Sequence, residues 1–178
     1  MKLKPGTIVR NKIIRDGKIV KLKLTQNKWT IIDAGDYDAI RSHRWHAHNV
    51  HGIWYASTNI RTSGGQKNIT LHRFIMNFPD GLQIDHINGD GLLNTRSNIR
   101  TCTYSGNNHN CKKPKHGLSS KFKGVSRSKM SNKWRAYIRV NKKLIHLGYH
   151  DKEIDAAKSY NDAAIKYFKE FSKINTID

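Results

Sequence analysis

A short acidic window in the middle of the chain holds the residues best suited to chemistry. Residues 39–150 contain 19 Lys and Arg but only three carboxylates, those of Asp80, Asp85 and Asp90. Because a carboxylate repels phosphate, one that is kept on a basic, polyanion-binding surface indicates a specific task. Holding a metal ion is the usual task, and Asp85 is followed directly by His86.

The Asp85-His86 pair fits the hydrolysis of a phosphodiester. That reaction needs an activated water, a sink for the charge of the transition state, and stabilisation of the leaving group. One divalent ion with few protein ligands supplies the last two. The ion expected is Mg²⁺, with Mn²⁺ possible, and the preference stays open because oxygen ligands accept both. A neutral imidazole such as that of His86 is suited to take the proton of the water near neutral pH.

Two short strands and the loop between them are expected to position this pair. The strands are "LQIDHI" and "NIRTCT", and the loop is the polar "NGDGLLNTRSN". Successive side chains of a strand point to opposite faces, so Asp85 and His86 share one site only if the strand is distorted there. Asn88-Gly89 permits such a distortion. After the second strand, "YSGNNHNC" is predicted to begin a helix, and "KKPKHGLSS" is predicted to be a flexible basic linker.

This stretch resembles the HNH homing endonucleases of phages and introns, which have the ββα-metal fold. The likeness is carried by "LHRFIM" and by "IDHINGDGLLNTRSNIRTCTYSGNNHN". It implies that His86 is the general base and that Asp85 binds the metal. It also implies that Asn98 braces the loop and orients the base. Asn107, on the helix, is implied as the second metal ligand in place of the literal third histidine. His109 ranks behind it because it faces elsewhere on a helix.

The last third of the chain is predicted as three strands and one helix. The strands are "KFKGVSRS", "KWRAYIRV" and "KKLIHLGY", and the helix runs through "HDKEIDAAKSYNDAAIKYFKEF". This segment resembles the APETALA/ethylene-response-factor DNA-binding module of plants, which lays a three-stranded sheet in the major groove. The matching residues are Gly124, Val125, Trp134, Ile138, Arg139, Leu147, Gly148, Ala156, Ala157 and Tyr160. The recognition sequence of that module does not transfer, since Ser126, Ser128, Met130 and His146 replace its Arg and Trp positions.

Basic and aromatic residues of this segment are the candidate DNA contacts. Alternation along the middle strand places Arg135, Tyr137 and Arg139 on one face, opposite Trp134, Ala136 and Ile138. Such a face can read bases with Arg and bind phosphates with Lys. The full candidate set is Lys123, Arg127, Lys133, Arg135, Tyr137 and Arg139, together with Arg96 and Arg100 beside the HNH-like stretch. Solvated surface charge is the alternative for each Lys and Arg.

The first 70 residues are predicted to be rich in strands. "IIRDGKIVKLKL" predicts a hairpin with one basic face, "GIWYASTNIR" and "KNITL" predict a second strand pair, and "DYDAIRSHRW" predicts a short helix. The histidines in this part are His43, His46, His48 and His51. Without a Cys or carboxylate at matching spacing, a histidine-rich or DNA-facing surface is favoured there over zinc. For His72, in "LHR", phosphate positioning and a packing or hydrogen-bonding role both stay open.

Composition limits the partner and the compartment. The formal net charge of +20, from 33 Lys+Arg and 13 Asp+Glu, indicates a nucleic acid partner. No apolar run approaches the ~20 residues that span a bilayer, and no secretory segment is evident near Met1, so we expect a cytoplasmic protein near the host nucleoid. Cys102 and Cys111 are too few for a disulfide scaffold or a four-Cys zinc site.

These observations predict an α+β chain with four parts. They are a β-rich region (1–70), an HNH nuclease core (71–111), a basic linker (112–120) and a DNA-binding domain (121–178). The expected function is a site-directed endonuclease on double-stranded DNA, of homing type, in which the linker lets both modules bind adjacent stretches. The alternatives are a non-catalytic, sequence-specific DNA-binding regulator with a structural HNH remnant, and a ribosomal-type RNA-binding protein. Target sequence, strand choice and oligomeric state stay open.

Overall fold

A computed structural model describes residues 11–103 and 119–177. It divides the chain into two compact units, Met1–Tyr104 and Ser105–Asp178. Both units contain strands and helices, which confirms the predicted α+β class. Within the two described ranges, no helix is both long enough and apolar enough to cross a membrane.

The first unit is built mainly from short strands. They are β1 (Ile13–Asp16), β2 (Ile19–Lys23), β3 (Trp29–Asp33), β4 (His46–Val50), β5 (Ile53–Thr62), β6 (Gly65–Thr70), β7 (Gln83–His86), β8 (Leu93–Asn94) and β9 (Ile99–Cys102). The helices are a 3-10 turn at Ala34–Asp36, then α1 (Tyr37–Ile40) and α2 (Leu71–Ile75). Three sheets result, with strand orders β1-β2-β3-β8, β4-β5-β6 and β7-β9.

The β1–β2 hairpin forms where the Asp-Gly turn predicts it. Asp16 lies opposite Ile19, and Gly17 between them has a φ of +57°, a left-handed conformation that glycine adopts without strain. In β2, Val20 and Leu22 are buried. The predicted alternation is therefore present, with one apolar face turned to the core.

One hydrophobic core runs through the described residues of the first unit, 11–103. The core contains Val20 and Ile32 from the first sheet, Trp45 just before β4, and Ala56 in β5. The HNH-like stretch contributes Leu71, Ile84 and Ile99. Strand β8, inside the loop between β7 and β9, also pairs in parallel with β3. The β-rich region and the HNH-like stretch are thus parts of a single packed body, because neither covers its apolar face alone.

In its described part, residues 119–177, the second unit is a three-stranded antiparallel sheet with one α-helix packed on it. The sheet contains β10 (Val125–Arg127), β11 (Trp134–Val140) and β12 (Lys143–His150) in that order, followed by α3 (Glu153–Phe168) and a 3-10 turn at Lys169–Phe171. Small helix residues such as Ala156, Ala157 and Ala164 are buried against the sheet. At Gly124, with φ +72°, an added Cβ would lie 2.6 Å from the carbonyl oxygen of Tyr137. Close helix–sheet packing therefore requires glycine there.

Candidate active site and nucleic-acid interface

The β7–β9 pair places the HNH-like residues at one point of the first unit. Asp85 lies opposite Arg100, and His86 lies opposite Ile99. Asp85 and His86 are each only 6% exposed, and their neighbour Ile84 is 7% exposed. β7 pairs with β9 without a register shift, so the distortion expected at Asp85-His86 is absent and the two side chains leave opposite faces of the strand. The charge of Asp85 is nevertheless close enough to act on the pKa of His86.

His86 is held in a polar and aromatic cage. Its Nε2 lies 3.2 Å from Oδ1 of Asn94. The His72 ring stands nearly perpendicular to it, with ring centroids 4.9 Å apart, and the Tyr55 ring lies at 5.9 Å. Burial lowers the pKa of His86, although the bond to Asn94 and the charges of Asp85 and Asp90 act in the other direction. The imidazole is therefore neutral at pH 7, which is the form that accepts a proton.

Asn94 decides which ring nitrogen of His86 is basic. Its Nδ2 donates to Oγ1 of Thr30 at 2.8 Å and to the carbonyl oxygen of Gly91 at 3.3 Å. Those bonds turn Oδ1 toward His86, where it acts as an acceptor. The proton of the neutral ring therefore sits on Nε2, and the basic lone pair sits on Nδ1.

Asn94 and Thr30 are the site residues that the sequence analysis missed. Thr30 is fully buried in β3, and its hydroxyl donates to the carbonyl oxygen of Leu92 at 2.7 Å. Alternation in "WTIID" places Thr30 on the same side as buried Ile32. A buried hydroxyl needs a partner, and this was the one signal in the sequence. The partner lies 64 positions away, so the sequence could not identify it.

Asn98 holds the loop between β7 and β9. Its Nδ2 donates to Oδ1 of Asn88 at 3.0 Å and to the carbonyl oxygen of Leu93 at 2.8 Å. Its Oδ1 accepts from the backbone N–H of Asn88 at 3.2 Å. This geometry fits a loop brace. Asn94, which the same loop carries, contacts the His86 ring, so Asn98 bears on His86 by holding this loop.

Asp85 forms a close ion pair with Arg100. Its Oδ2 accepts from Nε at 3.1 Å and from Nη2 at 2.9 Å. The two side chains are 7% and 17% exposed. The Arg100 guanidinium therefore orients the carboxylate of Asp85, the residue before His86. A phosphate bound by Arg100, as predicted, would have to share this guanidinium with Asp85.

The described residues contribute one carboxylate of the expected metal ligand set. Asn107 and its runner-up His109 lie outside the described residues, as does Cys111. Within residues 11–103 and 119–177, no three His, Cys, Asp or Glu side chains are grouped closely enough to hold a metal ion. The four histidines between residues 43 and 51 accordingly form no zinc-type cluster with other described ligands.

Arg96 links the loop to the start of α1. Its Nη2 lies 2.7 Å from Oδ1 of Asp36, and its Nε contacts both oxygens of that carboxylate at 3.1 and 3.2 Å. Its backbone N–H donates to Oδ2 of Asp33 at 2.7 Å. The hydrogen bonds and charge of Asp36 raise the pKa of Arg96. Arg96 thus holds the loop to the start of α1, while its side chain is still 59% exposed, so the phosphate contact predicted for it stays a prediction.

His72 completes the cage from α2. Its Nε2 lies 3.1 Å from Oγ1 of Thr70, and its ring centroid lies 5.7 Å from that of Tyr55. Its Nδ1 is buried and has no hydrogen-bond partner among the described residues. Burial, with His86 and Arg73 nearby, lowers the pKa of His72 to about 3. His72 is thus a neutral packing residue, which is one of the two roles open for it.

The second unit has an exposed basic and aromatic surface on the side of the sheet away from α3. On β11, Ala136 and Ile138 are buried toward the helix, and the alternation predicted from sequence turns Arg135, Tyr137 and Arg139 to the other side. Their neighbours on β12 are Tyr149, His146 and Leu144. We call these six residues the outer sheet face. The Arg135 guanidinium lies 5.2 Å from the Tyr137 ring, and the rings of His146 and Tyr149 are 4.7 Å apart.

The remaining candidate DNA contacts of the second unit lie elsewhere. Arg127 pairs across the strands with Trp134, covers the Trp134 ring at 4.9 Å and bonds to Asn132. Lys133 forms an ion pair with Asp151 at 3.2 Å. Lys123 is half-buried, and its backbone bonds to Asn175. These three residues are therefore not part of the outer sheet face.

Comparison with known proteins supports a nuclease class. A protein of Acanthamoeba polyphaga mimivirus, named as an uncharacterized HNH endonuclease, is 34% identical to this chain over 114 residues. The match covers 61% of this chain and 58% of that protein, so the chain spans less than two thirds of its relative. No protein-family model matches the chain. The chain is thus similar to a protein that is named as an HNH endonuclease, whereas the likeness of the second unit to the plant module stays a prediction.

Proposed function

We propose that this chain is a metal-dependent HNH endonuclease that hydrolyses phosphodiester bonds in double-stranded DNA. The observation that carries the proposal is the buried, neutral His86, which is bound at Nε2 by Asn94 and follows Asp85 directly. A net charge of +20 favours a polyanionic substrate. The name of the mimivirus relative supports the same class of reaction.

Asp85 and Asn107 are the proposed metal ligands, with Mg²⁺ as the ion and Mn²⁺ as the alternative. Carboxylate and amide oxygens are the hard ligands that Mg²⁺ accepts, and it retains several waters when few protein ligands hold it. Asp85 fits this role because its carboxylate is buried and oriented by Arg100 beside His86. When bound, the ion would polarise the scissile phosphate and stabilise the leaving oxygen.

His86 takes a proton from the attacking water at Nδ1. The Nε2–H bond to Asn94 sets this tautomer, and Thr30 holds Asn94 through Nδ2. The rings of His72 and Tyr55 restrict the rotation of the imidazole and exclude water from its other side. The positive charge that develops on the ring then lies next to an amide oxygen and near Asp85, which stabilises it.

The homing character of the enzyme is proposed from the second unit. Arg135, Tyr137 and Arg139 on the outer sheet face are suited to contact bases and phosphates along a groove. A tether between the two units would then raise the local concentration of the cutting site near the target. The proposed linker, residues 112–120, lies mostly outside the described residues.

Replacing His86 by Ala tests the proposal. We expect cleavage to fall by about 10²–10⁴-fold, the usual contribution of a general base, while DNA binding is retained. The measurement is a Mg²⁺-dependent cleavage assay on a strand-labelled library of long duplexes, with a chelator added in a parallel sample. His51→Asn is the matched control, because His51 is exposed in the β4–β5 turn with φ 49°, which asparagine tolerates.

Three outcomes would contradict the proposal. Undiminished cleavage by the His86→Ala variant would exclude His86 as the base. Tight duplex binding with no cleavage in Mg²⁺ or Mn²⁺ would favour the non-catalytic regulator. A preference for RNA over duplex DNA at equal salt would favour the ribosomal-type alternative.

A further inference from the structure

A cavity in the first unit lies apart from the His86 cage. It has a volume of about 540 Å³ and opens between the segment after α1 and the strands β4 and β5. Ligand pockets in proteins range from about 300 to 1,000 Å³, so the cavity is large enough for a sugar–phosphate unit. Its lining includes Thr25, Ser42, His43, Arg44, His46 and Asn59.

The lining is polar, and none of its described residues carries a carboxylate. The hydroxyl of Thr58, which also lines the cavity, is already used because it donates to the carbonyl oxygen of Arg44 at 2.9 Å. Arg44 is exposed, and no carboxylate within the described ranges pairs with it, whereas Arg41 nearby is paired with Asp38 at 3.2 Å. The Oδ1 of Asn59 accepts from Asn68, which leaves its NH₂ group as a donor. An array of donors around a guanidinium selects an anion with several acceptor oxygens.

His46 adds a neutral donor to this array. Burial, with His48 and Arg44 nearby, lowers the pKa of His46, so the ring carries one N–H at pH 7. His43 is positioned by its neighbours, with Nδ1 at 3.0 Å from the Ser42 hydroxyl and its ring packed edge-on against Phe74 at 5.0 Å. Contacts within the protein therefore position the part of the wall that His43 forms.

The strand register connects this cavity to the His86 cage. His46 lies opposite Ser57, and Ser57 lies opposite Thr70, so the three side chains form one row across β4, β5 and β6. Thr70 bonds to His72, whose ring packs on His86. Two strand spacings of about 4.8 Å separate His46 from Thr70. His72 and His86 lie beyond Thr70 in this series of contacts, so the cavity and the His86 cage are more than one nucleotide step of a DNA strand apart.

We propose that this cavity binds a backbone phosphate of the DNA strand, a few nucleotides from the phosphate that is cut. Arg44 supplies the charge, and His46, Asn59 and the hydroxyl of Thr25 supply neutral donors. The cavity thus sets the register of the duplex relative to His86 without reading its sequence. This inference rests on the proposed function for the nature of the substrate, but the binding it describes can be measured without cleavage.

The test is the salt dependence of duplex DNA binding by the full-length Arg44→Gln variant. Each phosphate contact that is lost reduces the magnitude of the slope of log K against log salt by about 0.9. We expect this reduction for Arg44→Gln. We also expect binding to weaken equally for duplexes of unrelated sequence. Arg41→Gln is the matched control: it removes the same charge three residues away, and we expect less than half of the effect. Arg44→Lys keeps the charge and should restore most of the slope.

A second measurement reports on the cavity itself. In nuclear magnetic resonance spectra of the wild-type protein, a short duplex should shift the side-chain amide signals of Asn59, and the shift should be lost in Arg44→Gln. Equal slopes for Arg44→Gln and Arg41→Gln, or an unshifted Asn59 amide, would overturn the cavity proposal while leaving the nuclease proposal intact. A wild-type chain that binds no duplex would overturn both.

Discussion

At the scale of single residues, the chemistry of His86 depends on the groups around its ring. Burial keeps the imidazole neutral, and the acceptor of Asn94 places the ring proton on Nε2. Thr30 then ensures that Asn94 presents oxygen rather than nitrogen to the ring. In the proposed mechanism Asn94 is therefore a positioning residue, since it would act on the water only through His86.

Changing Asn94 to Asp tests this relation. A carboxylate beside the ring favours imidazolium, so the pKa of His86 rises, by about 1 unit or more for a close partner. The base works in its neutral form, so the acid limb of the pH–rate profile for kcat/KM should move to higher pH. Activity would then be lost at a pH where the wild-type protein still works.

A purely structural role for Asn94 predicts a different result. In that case Asn94→Asp would lower activity by the same factor at every pH, and the acid limb would stay in place. Thermal unfolding of the variant serves as the control for folding, since loss of the bonds to Thr30 and Gly91 also costs about 1–3 kcal/mol.

At the scale of elements, the loop between β7 and β9 is held from outside. Strand β8 pairs with β3 in parallel, Asn98 bonds back to Asn88, and Arg96 bonds to Asp36. Gly91 lets this loop approach β5 closely, because an added Cβ would lie 2.6 Å from the Tyr55 ring and also meet the carbonyl oxygen of Trp54. The position of Tyr55 against His86 thus depends on the absence of a side chain at Gly91.

Gly91→Ala should consequently impair both stability and cleavage. The backbone carbonyl of Trp54 lies within a sheet and cannot move aside easily, so we expect a loss of about 1–3 kcal/mol from overpacking. Displacement of Tyr55 should also lower the rate of cleavage by the folded protein. Urea unfolding and single-turnover cleavage measure the two effects separately.

Gly35→Ala is the control for this substitution. Gly35 is exposed, and an added Cβ would have no neighbour within 4 Å. It should leave both quantities unchanged. If Gly91→Ala behaved in the same way, the close approach of the loop to β5 would have no part in holding the site.

At the scale of the whole molecule, cutting and target binding are assigned to different units. The His86 cage lies in the first unit, and the outer sheet face lies in the second. The chain carries a net charge of +20, so a large part of its affinity for DNA is expected to be independent of sequence. Contacts on the outer sheet face are expected to add selectivity to this general attraction.

Arg139→Ala should reduce selective binding without changing the rate of the bound complex. The side chain is exposed on the outer sheet face, and loss of a base contact costs about 1–3 kcal/mol. Lys166→Ala, which removes a charge from exposed helix surface in the same unit, should have a smaller effect. Titration with duplex and single-turnover cleavage at saturating protein distinguish binding from chemistry. A lower single-turnover cleavage rate at saturating protein for Arg139→Ala would contradict the assignment of cutting and target binding to different units.

Local sequence patterns were enough to predict several strands of this protein and the faces of those strands. The Asp-Gly turn and the alternation of Val20 and Leu22 with lysines predict the first hairpin, and the same rule separates Arg135 and Arg139 from Ala136 and Ile138. These features depend on neighbours within a few residues, where backbone geometry decides which way a side chain points. The charge excess likewise indicates the partner whatever the fold.

The tertiary structure alone decided how His86 is held. Thr30 and Asn94 meet across 64 positions, the Asp36–Arg96 pair spans 60, and both depend on the core that the β-rich region shares with the HNH-like stretch. No local rule selects such partners, because the strands that carry them are brought together by burial of apolar surface from residues far apart in sequence. The sequence therefore determined which residues could do chemistry, and packing determined the tautomer and the surroundings in which His86 would do it.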